Sequence, residues 1–223
     1  MTVPSAAGGR PAFDALVLAG GRARRLGTPK PGLVVAGRRL LDHALAATAG
    51  AGATVVVGPR ELADPARYVL TREDPPFGGP VAAIAAGLAV LGRVGPDGTG
   101  RDAAGRDGTL RPAWVLVLAC DVPRAAAAVP LLLAAVDRPA DSPAPVDAVR
   151  AVRDGRDQWL VGLYRRTALD AAVARIRAAG GVDGAPVHRL LGDLPALLVE
   201  DTAGHTRDVD TWQDAHDQDR RHR

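Results

Sequence analysis

The chain has 223 residues, 47% of them hydrophobic, which is enough to form one domain with a substantial core. The net charge is only +3, and arginines are interleaved with aspartates along most of the length, which argues against a nucleic-acid-binding protein. The single cysteine, Cys120, excludes an internal disulfide. Because no long apolar run or signal-like segment is found, we expect a cytoplasmic protein without membrane partners.

Short apolar runs alternate with alanine-rich segments, a pattern typical of strands joined by helices. In chain order, strands are predicted at 15–18, 54–58, 68–71, 114–119, 146–152, 159–164 and 197–200, and helices at 40–49, 80–91, 125–136, 166–179 and 211–218. Helical crossovers imply a single-domain α/β fold with a mostly parallel, Rossmann-like sheet and helices on both faces. Asp154 and Gly155 predict a tight turn, so the strands around them should form an antiparallel hairpin.

The predicted domain extends from residue 13 to residue 215. Residues 1–12 are expected to be disordered, and residues 216–223, rich in Asp, Arg and His, to form a frayed, charged tail. Residues 92–111 consist largely of Gly, Asp, Arg and Thr, so they are predicted to be a flexible insertion loop.

A glycine turn follows the first predicted strand, where residues 18–30 read LAGGRARRLGTPK. Gly20 and Gly21 lack Cβ atoms, so backbone N–H groups can approach an anion that the arginines surround. Lys30 is the only lysine in a chain with 27 arginines. Its compact ammonium suits a narrow approach to a phosphate oxygen, although a lone lysine can also be an ordinary surface residue. Together these features predict a polyphosphate site.

Three aspartates are candidates for this site. Asp121 follows an apolar strand at the edge of the sheet where ligands bind, and its carboxylate suits Mg²⁺. A helix-capping role is the weaker alternative, because Pro123 separates it from the next helix. Asp210 could be a second metal ligand or the N-cap of the last helix. Asp74 precedes two prolines, so a role in a turn is the alternative to nucleotide contact.

Five segments in this order resemble motifs of the molybdenum cofactor guanylyltransferases, a branch of the nucleotidyltransferases. Residues 18–30 are similar to their loop L-A-G-G-x-x-x-R-[ML]-G-x-x-K. Residues 72–81 resemble the D-x-x-x-x-G-P stretch of the nucleoside pocket, and 114–123 the strand that ends in a metal-binding Asp. Residues 155–165 resemble the substrate-side hairpin and strand, and 208–211 the closing [ND]-x-[ND]-T motif. The resemblance covers nearly the whole predicted domain.

The resemblance implies Mg²⁺-dependent transfer of GMP from GTP to the terminal phosphate of molybdenum-bound molybdopterin, with release of pyrophosphate. The partners would be GTP, the molybdopterin cofactor and, transiently, proteins of cofactor biosynthesis or acceptor proteins, and a monomer is expected. The implied roles are catalytic for Lys30, Arg25 and Asp121; nucleotide-binding for Leu18, Ala19, Gly20, Gly21, Lys30, Asp74 and Asp121; metal-binding for Asp121 and Asp210; and acceptor-binding for Arg156 and Gln158.

The chain departs from the family pattern at a few positions. Pro29 stands where many members have Asp, and Gly58 stands where members have a nucleotide-contacting Asn. The closing motif has the form D-x-D-T, which is more familiar in cytidylyltransferases. The alternatives are therefore a molybdopterin cytidylyltransferase, a sugar-phosphate nucleotidyltransferase or a nucleotide-binding protein that has lost catalysis.

Overall fold

The structure is a computed structural model that describes residues 11–21, 27, 29–94, 111–137 and 145–221. The expectations for residues 1–10, for most of the insertion loop (95–110) and for Arg25 concern residues outside these ranges.

The described residues form a large sheet and a small one. Neighbouring strands of the large sheet are parallel, except that β8 runs antiparallel to both β6 and β7. The predicted mostly parallel sheet with an antiparallel hairpin is therefore confirmed. The strands are β1 (Phe13–Leu18), β2 (Val34–Val35), β3 (Arg38–Arg39), β4 (Thr54–Val57), β5 (Val69–Thr71), β6 (Trp114–Ala119), β7 (Ala148–Arg153), β8 (Arg156–Arg165) and β9 (Ala196–Glu200). Their order is β5-β4-β1-β6-β8-β7-β9 in the large sheet, while β2 and β3 pair separately.

Helices cover both faces of the large sheet. They are α1 (Leu40–Ala47), α2 (Gly79–Leu91), α3 (Ala125–Val136), α4 (Arg166–Ala178), α5 (Val187–Leu191) and α6 (Trp212–Arg221). Helices α1 and α3 pack on one face, and α2, α4 and α5 on the other. The sequence predicted all of these except α5, which is only five residues long. Within the described ranges, no helix combines the length and apolar character needed to cross a bilayer.

The two central strands are buried because their residues are apolar. Every residue of β1 and the first five of β6 are buried, as expected for parallel strands covered on both faces. Asp14 is the charged exception in β1. Its carboxylate accepts the backbone N–H of Ala53 at 2.9 Å and pairs with the guanidinium of Arg166. The buried charge is thereby compensated, and it connects β1 to α4 at the edge opposite the glycine turn.

The hairpin between β7 and β8 has the predicted tight turn. Asp154 and Gly155 both have left-handed backbone conformations, with φ of 52° and 71°, as a two-residue hairpin turn requires. Further along β8, the ring of Tyr164 lies over Gly162, where an added Cβ would be 2.9 Å from the ring. The tyrosine hydroxyl donates to the carbonyl of Trp159 at 2.7 Å.

The C-terminal segment returns to the small sheet. Val209 and Ala215 form a separate small core with three residues near β2, namely Leu33, Val35 and Leu40. The backbone N–H of Ala36 donates to Asp219 Oδ1 at 2.6 Å. Because these contacts hold α6, the chain is helical as far as Arg221, and the boundary predicted at residue 215 falls inside this helix.

Gly87 lies where α2 crosses β1 and β4. An added Cβ would stand 2.7 Å from Leu16 Cδ2 and 3.0 Å from Val57 Cγ2, and both residues are fully buried. We expect Gly87→Ala to lower the free energy of unfolding by about 1–3 kcal/mol, because overpacking outweighs the gain in helix propensity. Urea denaturation measures this change. Gly32→Ala, whose Cβ would meet no atom within 4 Å, is the control, and equal midpoints for the two variants would contradict the expectation.

Candidate active site

A cavity of about 510 Å³ opens at the carboxyl ends of β1 and β6. The two strands lie side by side and end together, with Leu18 opposite Ala119. The strand order changes direction here, since β4 lies on one side of β1 and β6 on the other. Such a switch point is where open α/β sheets bind ligands. The polar part of the lining comes from Gly20, Gly21, Lys30, Glu73 and Asp121.

Lys30, in the lining of this cavity, contacts two residues that are far from it in the sequence. It begins a short 3-10 turn, Lys30–Gly32, directly after Pro29. Its Nζ donates to Asp121 Oδ2 at 2.8 Å and also to Asp210 Oδ1. Only 22% of the lysine side chain is exposed. The structure therefore brings together three residues that the sequence singled out separately.

The charges in this cluster are unequal, because one ammonium faces several carboxylates. Burial alone would lower the pKa of Lys30, but hydrogen bonds and attraction from Asp121 and Asp210 outweigh it and raise the pKa. Burial raises the pKa of Asp121, and the charges of Asp208 and Asp210 add to this, while Lys30 opposes it. The net result is an ammonium that is held charged by a surplus of carboxylates. Such a cluster favours binding of a further cation.

Neither Asp121 nor Asp210 is needed to cap a helix. Helix α3 begins after Arg124 without a side-chain cap. At the start of α6, Thr211 Oγ1 accepts the N–H of Asp214 at 3.2 Å, and Asp214 Oδ2 accepts the N–H of Thr211 at 2.7 Å. This reciprocal pair is a capping box, so the carboxylate of Asp210 can point to Lys30. The segment is fixed by the N–H of Val209, which donates to the carbonyl of Asp121 at 2.9 Å.

Glu73, which the sequence reasoning passed over, lines the cavity next to the predicted Asp74. The side chain of Asp74 is exposed, and the structure does not bring it into the cavity lining, whereas Glu73 is buried. Glu73 Oε1 accepts the N–H of Phe77 at 3.0 Å, and Oε2 is buried with no hydrogen-bond partner among the described residues. The sequence carried no signal that separates the two: Glu73 and Asp74 are adjacent carboxylates, and the turn into α2 decides which of them faces inward.

The remaining predicted residues divide into those at the cavity and those away from it. Leu18, Gly20 and Gly21 line it. Ala19 is buried and donates its N–H to the carbonyl of Val57 at 2.8 Å, so it attaches the glycine turn to the end of β4. Arg156 and Gln158 lie on the hairpin outside the cavity lining, where the Gln158 amide donates to the carbonyl of Arg156 at 3.0 Å.

Gly58 stands where the family pattern has asparagine, and the structure gives a local reason for a small residue. A Cβ at Gly58 would be 3.1 Å from Leu62 Cδ1 and 3.2 Å from the carbonyl oxygen of Ala19. The backbone of the glycine turn lies too close to Gly58 for a side chain there, unless Leu62 or Ala19 shifts. Gly58 itself offers no side chain for a ligand contact.

Cys120 also lines the cavity, beside Asp121. Burial, with the nearby charge of Asp121, raises the pKa of its thiol far above neutrality. The thiolate is the reactive form of cysteine, so Cys120 is not a nucleophile at neutral pH.

The comparisons with known proteins agree with this site. Residues 15–197 match the model of the MobA-like NTP transferase domain. The chain belongs to this family. No curated protein sequence matches it. Members of the family are nucleotidyltransferases.

Solved structures share the fold at low sequence identity. Molybdopterin-guanine dinucleotide biosynthesis protein A from Archaeoglobus fulgidus is 19% identical, with a TM-score of 0.62 over 93% of this chain and 97% of that one. The 2-C-methyl-D-erythritol 4-phosphate cytidylyltransferase from Thermus thermophilus is 20% identical, with a TM-score of 0.63 over 95% and 98%. Rv0371c from Mycobacterium tuberculosis is 20% identical, with a TM-score of 0.62 over 95% and 100%. At these identities the likeness establishes the α/β fold and leaves the substrates open.

Proposed function

We propose that this nucleotidyltransferase transfers GMP from GTP to the terminal phosphate of molybdenum-bound molybdopterin and depends on Mg²⁺. The observation that carries the proposal is the meeting of Gly20, Gly21, Lys30 and Asp121 in one cavity at the switch point of the sheet. A cytoplasmic monomer is part of the proposal, in keeping with a single, buried cysteine.

The reaction needs alignment and charge neutralisation more than it needs a reactive side chain. An oxygen of the acceptor phosphate attacks the α-phosphorus of GTP in line, the bond from that phosphorus to the bridging oxygen breaks, and pyrophosphate leaves with the electron pair. The N–H groups of Gly20 and Gly21 would hold phosphate oxygens. Lys30 Nζ, drawn from its carboxylate partners, would stabilise the charge that develops on the phosphates.

The donor set around Lys30 fits a hard divalent cation. Carboxylate oxygens of Asp121 and Asp210 converge on one ammonium nitrogen, so a single cation is within reach of both. Among the described residues, no group of three or more Asp, Glu, His and Cys side chains is placed to hold a metal. Mg²⁺ is commonly bound by one or two carboxylates together with substrate phosphates and water. Held by Asp121 and Asp210, it would neutralise charge at the α-phosphate.

Glu73 supports guanine as the base. A carboxylate only accepts hydrogen bonds, and guanine is the nucleobase with two adjacent donors, N1–H and the N2 amino group, on one edge. Glu73 Oε2 is buried in the cavity lining and has no partner among the described residues. A buried acceptor of this kind gains most from a ligand that supplies the missing donor. We therefore assign Glu73 the nucleoside contact that the sequence reasoning gave to Asp74.

Molybdopterin as the acceptor rests on resemblance. The five motifs follow the order found in molybdenum cofactor guanylyltransferases, and one similar structure carries the name molybdopterin-guanine dinucleotide biosynthesis protein A. Arg156 remains a proposed contact for the acceptor phosphate, because it is exposed on the hairpin that ends near the cavity.

Cytidylyl transfer is the second candidate. The closing motif Asp208-Val209-Asp210-Thr211 has the form more familiar in cytidylyltransferases, and one similar structure is a cytidylyltransferase. The two candidates differ in the base they select, so a comparison of nucleotides separates them.

We expect GTP with Mg²⁺ to stabilise the protein more than ATP, CTP or UTP does. A ligand at 100 times its dissociation constant adds about 2.7 kcal/mol to the stability of the folded state. Thermal unfolding with each nucleotide at the same concentration gives the ranking. CTP as the most stabilising nucleotide would move the assignment to the cytidylyltransferases.

The same screen on Glu73→Gln tests the role of Glu73. The N–H of Phe77 needs an acceptor, so the amide oxygen should take the place of Oε1, and the amide NH₂ then replaces Oε2 in the cavity. That NH₂ would oppose the two donors of guanine, so the variant should lose its preference for GTP. Retained GTP preference would show that Glu73 does not read the base.

A further inference from the structure

Phe77 is an exposed aromatic residue at the mouth of the cavity. Half of its surface is exposed, and it lines the cavity together with Glu73. Other large apolar side chains that the structure describes are also exposed, for example Leu131 and Trp212. Among these exposed apolar residues of the described ranges, Phe77 alone belongs to the cavity lining.

The backbone of Phe77 is strained. Its φ is 69°, in the left-handed region that glycine adopts without penalty. For a bulky side chain this conformation is unfavourable and is seen mainly at sites where the chain has a function to serve. The next two residues, Gly78 and Gly79, are glycines. The chain thus keeps an aromatic ring at a position where glycine would cost less.

Contacts with Glu73 and Arg72 constrain the backbone and the ring of Phe77. The N–H of Phe77 donates to Glu73 Oε1 at 3.0 Å, and the guanidinium carbon of Arg72 lies 5.1 Å from the ring centroid, within the range of a cation–π contact. Because Glu73 Oε2 is buried in the cavity lining, the ring and the carboxylate are held in a fixed relation. A flat heteroaromatic group that lies against the ring could donate from its edge to Glu73.

We infer that the ring of Phe77 stacks on the nucleobase, so that the hydrogen-bonding edge of the base faces Glu73. This inference rests on the proposed nucleotide site and adds a residue that selects for a planar base. In the proposed site the phosphates are held by other residues, namely Gly20, Gly21 and Lys30. Loss of the ring should therefore weaken binding of a nucleotide without changing binding of its phosphates.

Isothermal titration with GTP and with inorganic triphosphate, both with Mg²⁺, separates the contacts to the base from those to the phosphates. Phe77→Gly keeps the left-handed backbone accessible and removes the ring. We expect it to weaken GTP binding about 5- to 150-fold, the range that base–aromatic stacking supplies, with triphosphate binding unchanged. Phe77→Tyr, which keeps an aromatic ring, should bind GTP as the parent does. Leu131→Ala, which changes a side chain of similar exposure on α3, is the control and should bind both ligands as the parent does.

Either of two results would overturn the inference: unchanged GTP affinity in Phe77→Gly, or an equal loss for GTP and triphosphate, which would mean that the ring only supports the loop. If Phe77→Gly does not fold, Phe77→Leu keeps apolar bulk without an aromatic face and should still lose GTP affinity selectively. A parent that prefers CTP would refute the guanylyl assignment, and the same comparison made with CTP would still decide the role of the ring.

Discussion

Asp121→Asn should abolish most of the nucleotidyl transfer and leave the fold intact. The substitution keeps the shape of the side chain but removes the charge that attracts both Lys30 and a divalent cation. We expect kcat to fall at least about 100-fold, as for other losses of preorganised charge stabilisation. Pyrophosphate release measures the activity, and thermal unfolding without nucleotide measures the stability.

The stability of this variant should change by no more than about 1–2 kcal/mol. Burial raises the pKa of Asp121, so ionising this carboxyl costs more in the folded than in the unfolded state, and asparagine removes this cost. Lys30 keeps Asp210 as a partner, so no unpaired buried ammonium remains. Asp193→Asn, at a carboxylate that is 82% exposed, is the matched control. Full turnover in Asp121→Asn would show that the metal is held elsewhere, and a large loss of stability would show a structural role instead.

Lys30→Arg should fail almost as badly as Lys30→Ala. The ammonium lies between two carboxylates and is mostly buried, and a planar guanidinium is larger and donates in fixed directions. We expect each variant to lose at least about 2 kcal/mol in kcat/KM. Steady-state kinetics over a range of GTP concentrations measures the loss.

A charge-conserving exchange at the surface provides the control. Arg67 lies 2.8 Å from Asp42 and is 41% exposed, so Arg67→Lys should leave kcat/KM unchanged. If Lys30→Arg keeps activity within a few-fold of the parent, the arginines of the glycine loop carry the triphosphate, and the identity of the lysine is unimportant.

Most of the fold could be predicted because its signals are local. The apolar runs of β1 and β6 and the Asp154-Gly155 turn each depend on a few neighbouring residues. Helix α5 and the pair β2–β3 could not be predicted, because segments of five and two residues are too short for a periodic pattern. The extent of α6 depends on a tertiary contact, in which Val209 and Ala215 pack against Leu33, Val35 and Leu40.

The site was predictable only in part, for a related reason. Lys30 stands out as the only lysine, Asp121 by its place after a strand and Asp210 by its motif before the last helix, and the structure brings them together. Which of Glu73 and Asp74 faces the cavity depends on the backbone direction at one residue, and composition does not contain that information. The sequence alone does not single out Phe77. Its left-handed backbone and its contact with Glu73 exist only in the folded chain.

The way the C-terminal segment reaches Lys30 sets an order of events during synthesis. Lys30 and Asp121 are 91 residues apart, and Lys30 and Asp210 are 180 residues apart. All seven strands of the large sheet are complete once Glu200 has been made. A nascent chain that ends there can pair its strands but cannot bring the last carboxylate to the ammonium. Because the chain is made from the N-terminus onward, every residue of the sheet is synthesised before the last carboxylate that contacts Lys30.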